Sequence, residues 1–173
     1  MEVEAKARVK SLREIEEKLK ARGAKLVKSV VQKADYYAPP WKQDFKKKGT
    51  FLLRIRKEGK KTVFSIKKLS SNPGARIEFE TAVEDPLALE KILAHSGFKK
   101  IASVNKKRGE YSMGKVHYCL DDVEGLGKFV EVESFSSQGK KTLSKLEKLL
   151  HSLGLKRTTR KGYVEMVFEK KGK

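Results

Sequence analysis

The sequence predicts an α+β fold: roughly eight antiparallel strands, enough to close a small barrel, covered by three amphipathic helices. Three observations carry this expectation. Charged and apolar residues alternate with period two along much of the chain, as in half-buried strands. Three segments place apolar residues at helical spacing between a capping residue and a glycine. The order helix-then-strands also recurs, which reads as two similar halves. A chain of 173 residues fits one domain, here 1–173, with halves at about 1–70 and 75–169.

The elements follow in chain order. Residues 2–10 open with a strand in which Glu2, Glu4, Lys6 and Arg8 alternate with Val3, Ala5 and Ala7. Ser11 and Glu14 form a capping box for the first helix, Leu12, Ile15 and Leu19 share its buried face, and Gly23 stops it. "KSVVQKADYY" at 28–37 is extended, and 38–50, "APPWKQDFKKKGT", reads as a lid or a plain surface loop. Strands at 51–57 and 62–68 carry Arg54 and Arg56 opposite Leu53 and Ile55. After the turn signal Asn72-Pro73-Gly74, residues 76–82 alternate Arg76, Glu78 and Glu80 with Ile77 and Phe79.

Asp85-Pro86 starts the second helix as N-cap and first turn, and Gly97 ends it. "IASVNKKRGEY" at 101–111 then parallels the stretch at 28–37. Further strands are expected at 115–122 and 128–135, the latter alternating Glu131 and Glu133 with Val130 and Val132. Thr142 is expected to start the third helix, with Leu143, Leu146, Leu150 and Leu153 as its stripe and Gly154 as its stop. A last strand is expected at 162–169, where Tyr163, Glu165 and Glu169 alternate with Val164, Met166 and Phe168. The tail "EKKGK" is expected to fray.

Composition narrows the function classes. Lys+Arg 41 against Asp+Glu 22 gives a net charge of +19, which favours an anionic partner. A single cysteine, Cys119, forms no internal disulfide and suits a reducing, cytoplasmic setting. No N-terminal apolar run and no long apolar segment predict a leader or a membrane span. Scarce amides beside abundant Lys and Glu point toward a thermophile. His95, His117 and His151 lack metal-ligand spacing, and Cys119 reads as a small buried residue.

The charged strand faces allow two orientations. On an open sheet they face water. On a closed barrel coated by helices they face inward, and a dry interior with both signs costs several kcal/mol per ion. Such a lumen holds water or a ligand that neutralises it. A triphosphate with a divalent cation would do so, Lys and Arg taking phosphate oxygens and clustered carboxylates taking Mg²⁺ or Mn²⁺. Periodicity alone leaves both orientations open.

A family resemblance decides between them. "EVEAK" at 2–6 resembles the E-x-E-x-K opening of CYTH domains, the triphosphate tunnel metalloenzymes. Gln32, Asp35-Tyr36-Tyr37, "LRIR" at 53–56, "SIKK" at 65–68 and "VNKKR" at 104–108 continue the likeness in family order. "CLDDVEGLGKFVEVE" at 119–133 is similar to the class IV adenylyl cyclase branch nearly residue for residue, and "KGYVEM" at 161–166 resembles its ending.

The resemblance implies an eight-stranded antiparallel barrel enclosing a tunnel, built from two similar halves, with the helices outside. It implies Glu2, Glu4, Asp121, Glu131 and Glu133 as metal-side carboxylates for Mg²⁺ or Mn²⁺, Glu131 and Glu133 foremost. Lys6, Arg54, Arg56, Lys67, Lys106 and Arg108 would grip the triphosphate, with Lys6, Arg56 and Lys106 in catalytic roles; Glu78 and Glu80 would orient those cations. Two departures bear on the substrate's organic end: Lys68-Leu69-Ser70 follow Lys67 where relatives carry glycine and proline, and Lys46-Lys47-Lys48 replace acidic residues.

The activity implied is an adenylyl cyclase converting ATP to 3′,5′-cyclic AMP and pyrophosphate. The alternative is a triphosphatase acting on nucleoside, thiamine or inorganic triphosphate. Two rivals from another class are a polyphosphate-binding protein without chemistry and a nucleic-acid module. Against the latter stand the glutamate pairs and the lack of a basic–aromatic stacking strand. "KRTTRK" at 156–161 reads as a solvated strand end, and the chain as a monomer or homodimer. Glu131→Ala and Arg56→Ala are each expected to abolish metal-dependent turnover with the fold intact.

Overall fold

In the computed structural model, residues 2–41, 50–69, 75–136 and 138–171 are described. The turn at 72–74, the lysines at 46–48 and the final two residues of the tail lie outside them. Eight long strands run β1 (Glu2–Val9), β2 (Lys25–Ala38), β3 (Phe51–Glu58), β4 (Lys61–Leu69), β5 (Ala75–Ala82), β6 (Lys99–Met113), β7 (Val116–Val123) and β8 (Gly127–Phe135). Helix α1 (Leu12–Ala21) follows β1, and α2 (Pro86–His95) follows β5. Thus β-α-β-β-β occurs twice, before α3 (Gly139–Ser152), a two-residue strand β9 (Thr158–Thr159) and α4 (Tyr163–Lys171).

Every pairing is antiparallel, in the order β5-β4-β3-β2-β6-β7-β8-β1. The ring closes because β1 also pairs β5, through Glu2↔Arg76 and Val3↔Ala75. Further along that same edge, β9 pairs Lys6↔Thr159 and Ala7↔Thr158. Closure leaves none of the eight strands with a whole unpaired edge to satisfy.

Helix ends obey their local chemistry. The Ser11 side chain accepts from the Glu14 N–H at 3.3 Å, and that of Asp85 from the Ala88 N–H at 3.0 Å. Past α1, Gly23 has φ +84, a conformation costly for residues with a Cβ, and the Ala24 N–H returns to the Leu19 carbonyl. The same return runs from Phe98 to Leu93 and from Leu155 to Leu150.

Two expected boundaries are corrected. Helix α3 begins at Gly139 rather than at Thr142, and its N-cap, Gln138, makes no side-chain capping bond. The Thr142 hydroxyl instead donates to Ser136 Oγ at 2.8 Å. The strand expected at 162–169 is a helix, α4. Tyr163, Val164, Met166 and Val167 fall at helical spacing and all join one apolar cluster. With the ring already complete, the alternation of this segment has no strand to pair with. Tertiary context overrides its β-branched and aromatic propensity.

The outward faces of β1, β3 and β8 are largely apolar and covered. Helices α1 and α3 bury Ile15, Leu19, Leu143, Leu146, Leu150 and Leu153 against Val3, Ala5 and Ala7 of β1 and Val130 and Val132 of β8. Each such side chain contributes about 1.5–3 kcal/mol. Helix α2 packs Leu89 and Leu93 on Leu53, Ile55 and Tyr37. The charged faces therefore point inward.

Candidate active site

The barrel encloses a cavity of about 1270 Å³, larger than most small-ligand pockets. Glu2, Glu4, Lys6, Arg54, Arg56, Lys67, Glu78, Glu80, Lys106, Arg108, Glu131 and Glu133 all line it. These are the expected site residues, Asp121 excepted. Strand register explains the gathering. Glu110, Cys119, Glu131 and Lys6 lie side by side across β6, β7, β8 and β1. The next inward rows are Arg108, Asp121, Phe129 and Arg8 on one side, and His117, Glu133 and Glu4 on the other.

Glu131 is the hub of the β1–β8 wall. Its carboxylate meets Lys6 Nζ at 3.0 Å and Arg108 Nη2 at 3.1 Å. Burial pushes Glu131 up, but Lys6, Arg108 and Lys106 together hold it well below the usual carboxylate range. Lys6, only 1% exposed, also pairs with Glu4 at 3.0 Å. Across the lumen Arg54 pairs with Glu78 and its Nε donates to Ser65 Oγ at 3.1 Å. Lys67 reaches Glu78 at 2.7 Å, and Arg56 lies 3.0 Å from Glu58 and 3.4 Å from Glu80. Each cation expected to grip phosphate thus already rests on a carboxylate, held in place for an anion to engage.

Glu133 differs. It makes no hydrogen bond or ion pair among the described residues, and β1 places Glu4 directly opposite it. Burial, then the charge of Glu131, with Glu2 and Glu4, pushes its carboxyl up to about 8. Glu2 is raised too, by burial first and by Glu4, Glu78 and Glu131. On Glu2 the charge of Lys67, and on Glu133 that of Arg108, offsets this crowding only in part. Oxygen atoms of Glu131 and Glu133 and the Cys119 sulfur all lie within 4.8 Å of one another, close enough to share a metal ion. The donor set suits a divalent cation, with oxygen ligands foremost.

Asp121, expected among the metal-side carboxylates, adjoins Glu131 through the shared Arg108 Nη2 but does not itself line the cavity. It is fully buried behind the lining. Arg108 grips it twice, at 2.7 and 2.6 Å, and Lys106 Nζ lies at 3.0 Å. The Tyr163 hydroxyl donates to it at 2.8 Å. Burial alone would raise Asp121, yet Arg108 and Lys106 hold it low.

Two tyrosines join the site without having been assigned roles from the residue pattern. Tyr36 lines the cavity and packs against the apolar cluster that holds Val104 and Val164; burial alone would raise its hydroxyl, but the charges of Arg54, Lys67 and Lys106 lower it. Tyr163, at the start of α4, lines the lumen together with Val164, Glu165, Phe168 and Glu169 of the same helix, which packs on the inward-facing Tyr36, Val104 and Phe129. Parity counting missed it because it treated 162–169 as one more wall strand. The signal available was the tyrosine in "KGYVEM".

The charge of the chain is not the charge of the site. Among described lining residues, seven Lys and Arg face nine Glu. The excess of +19 is therefore no property of this lining. This lining could hold an anion through the arrangement of its cations but not through bulk charge.

Comparison with known proteins agrees with this architecture. The profile of the CYTH domain matches residues 1–163. A Methanocaldococcus jannaschii protein provisionally named an adenylate cyclase is 31% identical over 173 residues, covering 96% of this chain and 98% of that one. A Pyrococcus horikoshii protein of solved structure superposes with a TM-score of 0.83 at 29% identity, covering 98% of this chain and 99% of its own. A Hippeastrum protein described as having a dominant triphosphatase activity shares the fold at a TM-score of 0.67 and 16% identity, covering 99% and 95%. The chain belongs to the CYTH family. No helix among the described residues is long and apolar enough to cross a membrane.

Proposed function

We propose that this chain is a metal-dependent enzyme acting on a triphosphate inside its barrel, with cyclisation of ATP to 3′,5′-cyclic AMP and pyrophosphate as the first reading. One observation carries the proposal: the crowded acids Glu2 and Glu133, both raised by burial and by neighbouring carboxylates, stand next to a wall of preorganised cations. Glu131 and Glu133, with Glu2 and Glu4, would hold Mg²⁺ or Mn²⁺. When bound, the ion neutralises phosphate charge and makes the attacking oxygen a better nucleophile.

The protein's own part is positioning and charge stabilisation. Arg54, Arg56 and Lys67 on one wall, and Lys6, Lys106 and Arg108 on the other, bracket a polyphosphate between them. Lys6, Arg56 and Lys106 would stabilise charge gathering on the transferred group. In cyclisation the ribose 3′-oxygen bonds to the α-phosphorus, the bond from that phosphorus to the oxygen bridging to the β-phosphate breaks, and pyrophosphate leaves while the 3′ proton passes to water. The name of the Methanocaldococcus relative and the residues at 119–133 favour this reaction.

Hydrolysis is the second reading, favoured by the triphosphatase activity described for the Hippeastrum neighbour. Water then attacks a phosphorus in place of the 3′-hydroxyl, using the same cations. Incubation with ATP, other nucleoside triphosphates, thiamine triphosphate and inorganic triphosphate, with Mg²⁺ or Mn²⁺, separates the readings. Cyclic AMP with pyrophosphate is the expected product; orthophosphate identifies a triphosphatase, and no product with any of them overturns the enzymatic proposal.

A further inference from the structure

We propose that Tyr163 is a positioning residue of the site, acting through Asp121 on the two cations Lys106 and Arg108; this rests on the triphosphate reading above. Four contacts converge on this side chain. Its hydroxyl donates to Asp121 Oδ2 at 2.8 Å, the oxygen that also receives Arg108 Nη2 at 2.6 Å and Lys106 Nζ at 3.0 Å. Lys106 Nζ lies 5.1 Å and Lys6 Nζ 5.3 Å from the centre of its ring. Phe129 pins the ring edge-on at 5.2 Å.

These contacts do different work. Asp121 is inaccessible to solvent, so its charge acts on ligand only through the cations it aims. A donor on Oδ2 fixes where Lys106 and Arg108 settle around that oxygen. The ring attracts two ammonium groups that repel each other, and so holds Lys6 and Lys106 at a set separation. Burial, with Glu131 and Asp121 nearby, keeps the phenol protonated and donating. A tyrosine serving only as core would account for Phe129 and the cluster around Val164, but not for a hydroxyl spent on the counter-ion of two lumen cations. Because Tyr163 comes from α4, the placement of wall cations depends on a helix packed against the inward strand faces rather than on the strands alone.

Tripolyphosphate binding by calorimetry, with KM and kcat on the accepted substrate, tests this. Tyr163→Phe keeps the ring and its packing, and is expected to weaken tripolyphosphate binding and raise KM about tenfold, as loss of a hydrogen bond to a charged group allows. In an Asp121→Asn background the same change is expected to cost less than twofold further. Unchanged binding in Tyr163→Phe, or the same tenfold loss in both backgrounds, overturns the inference. Should Asp121→Asn not fold, Tyr163→Leu replaces it: removing ring and hydroxyl together is expected to weaken binding well beyond Tyr163→Phe, and equal losses overturn the role of the ring. If the wild-type chain itself binds no tripolyphosphate, the functional reading falls, and this inference with it.

Discussion

Glu133 is the residue whose environment makes the sharpest solution prediction. Folding raises its carboxyl from an ordinary 4.5 to about 8, through burial and then Glu131, Glu2 and Glu4, with Arg108 opposing. The folded protein therefore binds a proton there that the unfolded chain has released. Stability from this group is full below about 4.5 and is lost as pH rises toward about 8. Glu131 and Asp121 are shifted the other way, so their losses fall at acid pH, outside that window. Melting temperature in chelator is expected to fall between pH 5.5 and pH 8.5, and millimolar Mg²⁺ or Mn²⁺ to reduce that fall. Equal melting at both pH values would rule this out.

Glu131 also shows what residue identity alone conceals. Reading it only as a metal ligand makes Glu131→Ala a clean test, but its carboxylate also holds Lys6 and Arg108. Removing it takes one carboxylate from each of two buried cations, which keep only Glu4 and Asp121, and so is expected to cost stability as well as turnover. Glu131→Gln is the better variant: turnover is expected to drop at least a hundredfold, with a smaller loss of stability in urea titration. Arg56, half-buried on the opposite wall, should tolerate Ala with the fold intact while turnover is lost.

At the scale of elements, capping and periodicity made α1 and α2 legible, because those signals lie within a few residues of the helix they start. Helix α3 was displaced by three residues because Thr142 looks like a cap but bonds Ser136. Its true N-cap position, Gln138, is unused by its side chain. Gln138→Asp is expected to add about 1 kcal/mol, read as a rise in melting temperature. No change would mean that the helix start is held by other contacts. Helix α4 was illegible for another reason. Its residues alternate as a strand does and also fit a helix, and only the completed ring excludes the strand.

At the scale of the molecule, the weak point of the barrel is its closure. Two residue pairs join β1 to β5 among the described residues, whereas thirteen join β2 to β6. Amides of Val3 and Ala75 are expected to exchange with deuterium well before those of Val31 and Val104. Similar protection at both seams would refute a soft closure.

The sequence by itself determined which residues share a face, where α1 and α2 begin and end, and that acids and bases are paired along the strands, because each depends on spacing within a few positions. It also carried the likeness that turned those faces inward. Only the tertiary structure decided that Asp121 sits behind the cations, that Glu133 has no hydrogen-bond or ion-pair partner among the described residues, and that Tyr163 enters from a helix. Each of those follows from strand register and packing between residues far apart in the chain, and local spacing holds no record of either.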